Sequence, residues 1–388
     1  MNLLDLPIHA VSGAGISRTF QNLELAAGQT VRENILPSAQ RLYPSSLFSQ
    51  FLSLPAARAQ AARADGSSGG PGDSVAAGLA PLALSTDSGG STRIPAGCTG
   101  TVGFKQTQGW IPDETTRDAF GTLVYVNPLT RDIQDAALLI DAISGAHPAD
   151  PFSLLARPSP LAPLAAPLGD LQGVRIGWMP SINGEALSKD VMAACEGALA
   201  RLASLGAIVD ELKDPPGRYA QTWNVLQNGY RQRRYGPYVE AKREKIGESF
   251  LRLLASGASV TAADVTEALF QRTSLFRKVQ GWFERYDVVI SPTMTRTAVA
   301  FDHRPGIDQI VIDGVDSGFA QDAWFPSLGL YNMTGHPAVS APCGWASDGL
   351  PMAFQAAARW GDDGLLVRLT ALYERAHPEA LRAPPVLK

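Results

Sequence analysis

The stretch that decides the fold runs from Gly66 to Pro112, GSSGGPGDSVAAGLAPLALSTDSGGSTRIPAGCTGTVGFKQTQGWIP. It holds two glycine–serine clusters, Gly66-Ser67-Ser68-Gly69-Gly70 and Ser88-Gly89-Gly90-Ser91. Between them the residues read as a short helix over Gly72 to Ala80, with Asp73 and Ser74 in its first turn, and a buried strand over Leu82 to Ser85. Glycine adopts positive φ without steric cost, so successive backbone N–H groups can converge on one point beside an exposed hydroxyl. Two facing serine loops of this kind suit acyl transfer, one serine attacking a carbonyl while the other passes a proton. A flexible connector explains one such cluster better than it explains a spaced pair. Gly66 to Gly70 also satisfies G-x-S-x-G, and His303, His336 and His377 lie downstream to complete a Ser-His-Asp set. Residues 56 to 65 do not read as the strand which that elbow requires.

Outward from this stretch, strand-like and helix-like segments alternate. Asp132 to Ser144 places Ile133, Ala136, Ala137, Ile140 and Ile143 at spacings of three and four, an amphipathic helix stopped at Gly145. Lys189 to Leu205 repeats the pattern with Val191, Cys195, Leu199 and Leu202 and ends before Gly206. Strands are expected over Val174 to Trp178, from Ala207, and over Asp287 to Ser291, Ala338 to Ala341 and Met352 to Gln355. A last helix is expected over Asp362 to Glu374, its adjacent carboxylates suiting the helix dipole. Such alternation predicts an α/β fold, a mixed central sheet covered by helices on both faces. Residues 219 to about 285 read as mainly helical, and their run YRQRRYGPYVEAKREK reads as a solvated cationic face. Residues 1–65 form an atypical segment, low in complexity over Leu52 to Arg63, and 66–388 read as one domain with 219–285 as a helical insertion.

Composition narrows the function. The chain of 388 residues is long enough for a large core, and its charged fraction of 18% lies below the roughly 25% usual for globular domains. With 33 basic and 37 acidic residues the formal charge is -4, which gives no electrostatic reason to expect nucleic acid or an anionic membrane as partner. Cys98, Cys195 and Cys343 are far apart, so neither a disulfide framework nor a cysteine-rich metal site is expected, and a reducing cytoplasm fits. No apolar run is long enough to span a bilayer, and the first residues, with Asp5 and no basic n-region, do not read as a secretory signal. There is no H-x-x-x-H, C-x-x-C or P-loop, so neither metal nor nucleotide cofactor is implied.

Taken together, the loops 24 residues apart (Ser67 to Ser91), TDSGGSTRIPAG and GTVGFKQTQGWIP resemble the amidase signature family. That family includes bacterial amidases, fatty acid amide hydrolase and the amide-cleaving component of the glutamyl-tRNA amidotransferase. The likeness continues through NPLTRDIQDAALLIDAISG (Asn127 to Gly145), DVVISPTM (Asp287 to Met294) and YNMTGHPAVSAPCGWASDGLPMAF (Tyr331 to Phe354), in the family's order. The resemblance implies hydrolysis of a small-molecule amide through a serine acyl-enzyme, with no cofactor and with a homodimer as a common assembly. It places the nucleophile at Ser91 and the proton-relaying serine, which carries a cis peptide, at Ser67. The backbone N–H groups of Ser88, Gly89 and Gly90 become the oxyanion hole, with Asp87, Arg93 and Ser68 supporting the loops. Lys105 matches a structural lysine, followed here by Gln106 where the family has proline. His336 reads as a loop residue and Cys98 and Cys343 as buried thiols. Trp223, Tyr230, Phe319 and Trp324 are candidate pocket aromatics.

The family's general base is a lysine several dozen residues before the first serine, and residues 1–64 contain no lysine. The expectation is therefore a first segment that is truncated, mis-started or frame-shifted. The alternatives are an amidase-like fold kept for binding or assembly, an enzyme using another base, and a glutamyl-tRNA amidotransferase component of the A type.

Overall fold

The structure, a computed structural model, describes residues 16–17, 63–64, 69–114, 116–165, 169–300, 303–304 and 306–380. Ser67, Ser68 and nearly all of the atypical segment lie outside these residues. The centre of the fold is a nine-stranded mixed sheet of β1 (Ile16–Ser17), β2 (Leu82–Asp87), β3 (Val102–Lys105), β4 (Tyr125–Thr130), β5 (Arg175–Trp178), β6 (Ile208–Glu211), β7 (Val288–Pro292), β8 (Ala338–Trp345) and β9 (Pro351–Ala358). Its spatial order is β1-β2-β4-β3-β8-β9-β7-β5-β6. The strands from β2 through β7 pair antiparallel, whereas β1 with β2 and the β7-β5-β6 end pair parallel. Each predicted strand is present, and three of them, β2, β8 and β9, run two to four residues longer than expected.

Two layers cover the sheet because its central strands alternate buried side chains toward opposite faces. Phe354, Ala356 and Ala358 of β9, with Val339 and Ala341 of β8, join one apolar cluster. That cluster includes Ile133, Ala136 and Ile140 of α3 (Ile133–Ile143), Val191, Cys195 and Leu202 of α5 (Lys189–Ser204) and Leu366 and Val367 of α11 (Asp363–Ala376). Ala357 and Ala338 face the other way, toward Val279 and Trp282 of α8 (Ala262–Trp282) and Leu330 and Met333 of α10 (Leu328–Thr334). The two amphipathic helices start where the sequence predicts, because side chains cap them. Asp132 accepts from the Asp135 amide ahead of α3, and Ser188 accepts from the Val191 amide ahead of α5.

Two local expectations are corrected. The helix expected from Gly72 is α1 (Gly69–Ala76), and its first turn is Gly69-Gly70-Pro71 rather than Asp73 and Ser74. Proline is tolerated there because the first-turn N–H it lacks has no intrahelical partner, and Ser74 Oγ instead donates back to the Gly70 carbonyl at 2.7 Å. Asp363 opens α11, yet its carboxyl does not simply face the helix dipole. It is buried and accepts from the Thr107 amide at 2.8 Å and from the Thr107 hydroxyl. Burial pushes its pKa up to about 6, against the hydrogen bonds from Thr107.

The remaining helices are α2 (Arg93–Thr99), α4 (Pro151–Leu155), α6 (Ala220–Lys242), α7 (Glu248–Gly257) and α9 (Ala320–Ala323). Segment 219–285 is helical as expected, formed by α6, α7 and α8. Among the described residues no helix is long and apolar enough to cross a membrane.

Candidate active site

β2 delivers the second serine loop. Its period-two alternation puts Ser85 and Asp87 on the same buried face, and both reach forward into the turn that follows. Asp87 Oδ1 accepts from the amides of Gly89 at 3.1 Å and Gly90 at 2.6 Å, folding residues 87–90 back on the aspartate. Gly89 and Gly90 sit at φ 150° and 114°, where L side chains are strained. Space forbids a side chain as well, since a Cβ would stand 2.7 Å from the Trp223 indole at Gly89 and 2.6 Å from Leu328 Cδ1 at Gly90. Ser91 follows, partly exposed at the end of this turn and two residues before α2, whereas Thr92 and Arg93 behind it are fully buried. Thr92 is fixed from two strands, its hydroxyl 2.7 Å from that of Ser85 and accepting from Asn127 Nδ2 at 3.2 Å.

Arg93 turns inward rather than toward solvent. Its Nε and Nη2 donate to the two Asp87 carboxylate oxygens at 2.9 and 3.0 Å, the bidentate geometry that suits a guanidinium. The remaining donors reach Asn332 Oδ1 at 2.6 Å and Gln355 Oε1. Asn332 closes the ring, its Nδ2 donating at 2.9 Å to both the Asp87 carbonyl and Oδ1. Gln355 Nε2 continues to Ser291 Oγ at 3.2 Å. Burial alone raises the Asp87 pKa, but the Arg93 charge and the hydrogen bonds from Arg93, Gly90 and Asn332 outweigh it and hold the carboxyl well below the usual carboxylate range. The ion pair is wholly buried with its hydrogen-bonding capacity largely filled, the condition under which such a pair persists in an interior.

Sequence reasoning misses Asn332 and Gln355. Asn332 lies one helical turn beyond Leu328 on α10, so the two share a face that packs on the loop. The signal for Gln355 is present as a single polar side chain in the apolar strand PMAFQAAA (Pro351 to Ala358).

The same geometry changes the reading of the oxyanion donors. The Gly89 and Gly90 amides are given to Asp87 and shape the turn, so in this arrangement they are not free to meet a developing oxyanion. Ser88 and Ser91 keep the amides of the turn that Asp87 does not take.

The other candidates fall elsewhere. Lys105 is fully buried, donates to the carbonyls of Gln106 at 3.0 Å and His336 at 2.8 Å, and lies 3.9 Å above the Tyr125 ring. Burial, reinforced by Arg93, lowers its pKa well below that of a free lysine. Its nitrogen is directed at carbonyl oxygens and holds the end of β3 to the turn before β8. Gln106, in the position of the family's proline, is buried and donates to the Val126 carbonyl at 3.1 Å.

His336 is buried in that turn, stacked on Phe283, with Thr334 and Gln280 at its two nitrogens. Burial and the Lys105 charge lower its pKa to about 3, so the ring is neutral. His377 pairs with the Tyr373 hydroxyl and Glu379. Neither of these rings is available to a Ser-His-Asp set, and no described hydrogen bond joins His303 to Ser91. Cys98, Cys195 and Cys343 are buried thiols outside any disulfide. Of the four aromatics, Trp223 covers Gly89, Trp324 is in the core with Nε1 donating to the Arg296 carbonyl at 3.2 Å, and Phe319 is exposed. Tyr230 lines an open cleft beside α6.

A serine at a glycine turn, braced from behind by a buried aspartate–arginine pair on a mixed sheet, defines the class that the comparisons then identify. The family model described as Amidase matches residues 57–367, more than half of the chain, and the chain belongs to the amidase (amidase signature) family. It is 31% identical over 325 residues to an acylamidase of Rhodococcus erythropolis, covering 83% of this chain and 66% of the relative. It is 32% identical over 342 residues to the A component of the glutamyl-tRNA(Gln) amidotransferase of Symbiobacterium thermophilum, covering 81% and 67%. Among solved structures, a bacterial aryl acylamidase of the amidase signature enzymes superposes with a TM-score of 0.72 at 25% identity, covering 82% of this chain and 67% of the other. The 6-aminohexanoate cyclic dimer hydrolase gives 0.72 at 26%, covering 84% and 71%. The chain spans about two thirds of the length of the curated relatives it matches.

Proposed function

We propose that this chain hydrolyses a carboxylic amide through an acyl-enzyme on Ser91. The observation that carries the reading is the position of Ser91. It stands partly exposed on a turn whose backbone is fixed from behind by Asp87, Arg93, Asn332 and Gln355, all buried. In the proposed reaction the Ser91 hydroxyl attacks the amide carbonyl and the Ser88 and Ser91 amides receive the oxyanion. Ser67 carries the proton to the leaving amine, and water then releases the acid from the ester. The buried network supplies no proton. It keeps the turn from collapsing onto Ser91, so that the donors need no reorganisation as charge develops.

A second reading is favoured by one specific fact, the absence of lysine from residues 1–64. In that reading the chain keeps the amidase-like fold for binding or assembly and recognises an amide without turning it over. An amidotransferase component of the A type is a further alternative, because relatives named as an acylamidase and as such a component match at similar identity.

The test is aniline release from an aryl anilide by the purified full chain, with Ser91→Ala as control. Release that is lost in the variant supports the hydrolase. Saturable anilide binding with no release, identical in wild type and Ser91→Ala, supports the binding reading. Release that survives Ser91→Ala removes Ser91 from the chemistry.

A further inference from the structure

The described surface carries a cavity that the proposed chemistry does not use. It is an open cleft of about 310 Å³ beside α6, lined by Arg117, Asp118, Tyr230, Arg233, Arg234 and Tyr238 among others. Its size falls within the range of small-ligand sites. Three arginines and one carboxylate line it, and that carboxylate is occupied locally, Asp118 Oδ1 accepting from the Phe120 amide at 3.2 Å. Among the described residues none of the three arginines is in an ion pair. Arg234 is held by aromatic groups instead of a counterion, its Nη1 donating to the Tyr230 hydroxyl at 3.0 Å and its guanidinium lying 5.2 Å from the Tyr235 ring centroid. A solvated cationic face would leave such side chains free. Here rings fix the orientation of a guanidinium at the wall of a cavity, which is how a planar anion is received.

Both walls of the cleft lead back to the nucleophile turn. One wall is α6, whose first turn carries Trp223 against Gly89 and is tied by Tyr219 Oη to the Pro326 carbonyl at 2.6 Å, just ahead of α10. Tyr230 and Arg234 follow Trp223 by seven and eleven residues on that helix, about 10 and 16 Å at the helical rise. The other wall is the loop bearing Arg117 and Asp118. Farther along, that loop meets the network where Asn332 Nδ2 donates to the Leu123 carbonyl at 3.4 Å, and Arg272 of α8 ties Thr122 to Met333.

We infer that this cleft is a subsite for a carboxylate carried on the far end of the amide substrate, about 10–16 Å along α6 from the residue that covers Gly89. The inference rests on the amidase reading and narrows it to amides bearing a remote carboxylate.

The probe is a secondary amide with a carboxylate-terminated arm of about nine methylenes on each side, so that either half can reach, compared with its neutral bis(methyl ester). Binding is measured by calorimetry on the full chain in a Ser91→Ala background, which prevents turnover. The expected result is a preference for the diacid of about tenfold or more. It collapses to within about twofold in Arg233→Gln/Arg234→Gln and shrinks in Arg117→Gln on the opposite wall, while the melting temperatures stay unchanged. Equal affinity for diacid and diester, or a preference that survives these substitutions, overturns the subsite. Labelling of wild-type Ser91 by a fluorophosphonate is read in parallel. If labelling succeeds and the preference is absent, the subsite fails and the hydrolase stands. If the preference holds and labelling fails, the hydrolase reading fails and the carboxylate site stands.

Discussion

The Ser91 turn and the cleft beside α6 both use arginine, and they use it in opposite ways. At the turn, Arg93 is wholly buried, bidentate on Asp87 and hydrogen-bonded at its remaining donors. In the cleft, three arginines line one cavity with a single carboxylate, none of them in a described ion pair, and Arg234 is positioned by Tyr230 and Tyr235. The difference separates two tasks. A charge whose partners are all inside the protein stabilises a backbone shape, whereas a charge without an internal partner keeps its attraction for a ligand.

Breaking the first arrangement should have the largest effect. Arg93→Met leaves the Asp87 carboxylate buried without its cation and should lower stability by about 3–5 kcal/mol, read as a fall in the urea midpoint. A smaller loss, of about 1–3 kcal/mol, is expected for Gly90→Ala, which adds both a strained φ and a contact with Leu328. This variant should also lose reactivity at Ser91, because the turn must move. Stability retained together with lost reactivity would show that the turn serves the chemistry more than the fold.

A half-buried carboxyl sharpens the comparison. Glu374 caps α3 by accepting from the Ile133 amide. Burial raises its pKa to about 8, with Asp132 and Asp135 adding to the rise, whereas the Asp87 carboxyl is held low by Arg93. Between the ordinary glutamate value and about 8 the folded chain binds the extra proton, so stability falls as pH rises through that window. Glu374→Gln should flatten this slope, a difference on the order of a few kcal/mol at the alkaline end, read from melting temperatures across pH 5 to 8. An unchanged slope would mean that a different group carries the pH dependence.

The smallest effect belongs to the cleft. Arg233→Gln/Arg234→Gln should change stability by no more than about 0.5 kcal/mol, because no internal ion pair is lost. A loss comparable to that of Arg93→Met would make these arginines structural and erase the contrast.

Most elements were legible in the sequence because their signals are local. The spacing of Ile133, Ala136 and Ile140 and the caps Asp132 and Ser188 fix two helices almost to the residue. The strand order was not legible, since β3 meets β8 across more than two hundred residues, Lys105 opposite Ala338. The site divides along the same line. Asp87, Ser91 and Arg93 lie within one short motif, whereas Asn332 and Gln355 reach it from α10 and β9 through tertiary packing. The donation of the Gly89 and Gly90 amides to Asp87 follows from turn geometry that glycine content alone does not specify. Ser67 and Ser68 fall outside the described residues.

The central claim is that Ser91 is the reactive hydroxyl of a braced turn. Its most direct test is the intact mass of the purified, folded chain after treatment with a fluorophosphonate probe, alongside Ser91→Ala. A single phosphonyl adduct is expected on the wild type, mapped to the peptide containing Ser91, and none on the variant. A folded wild-type chain that takes up no probe, or an adduct that persists in Ser91→Ala, would contradict it.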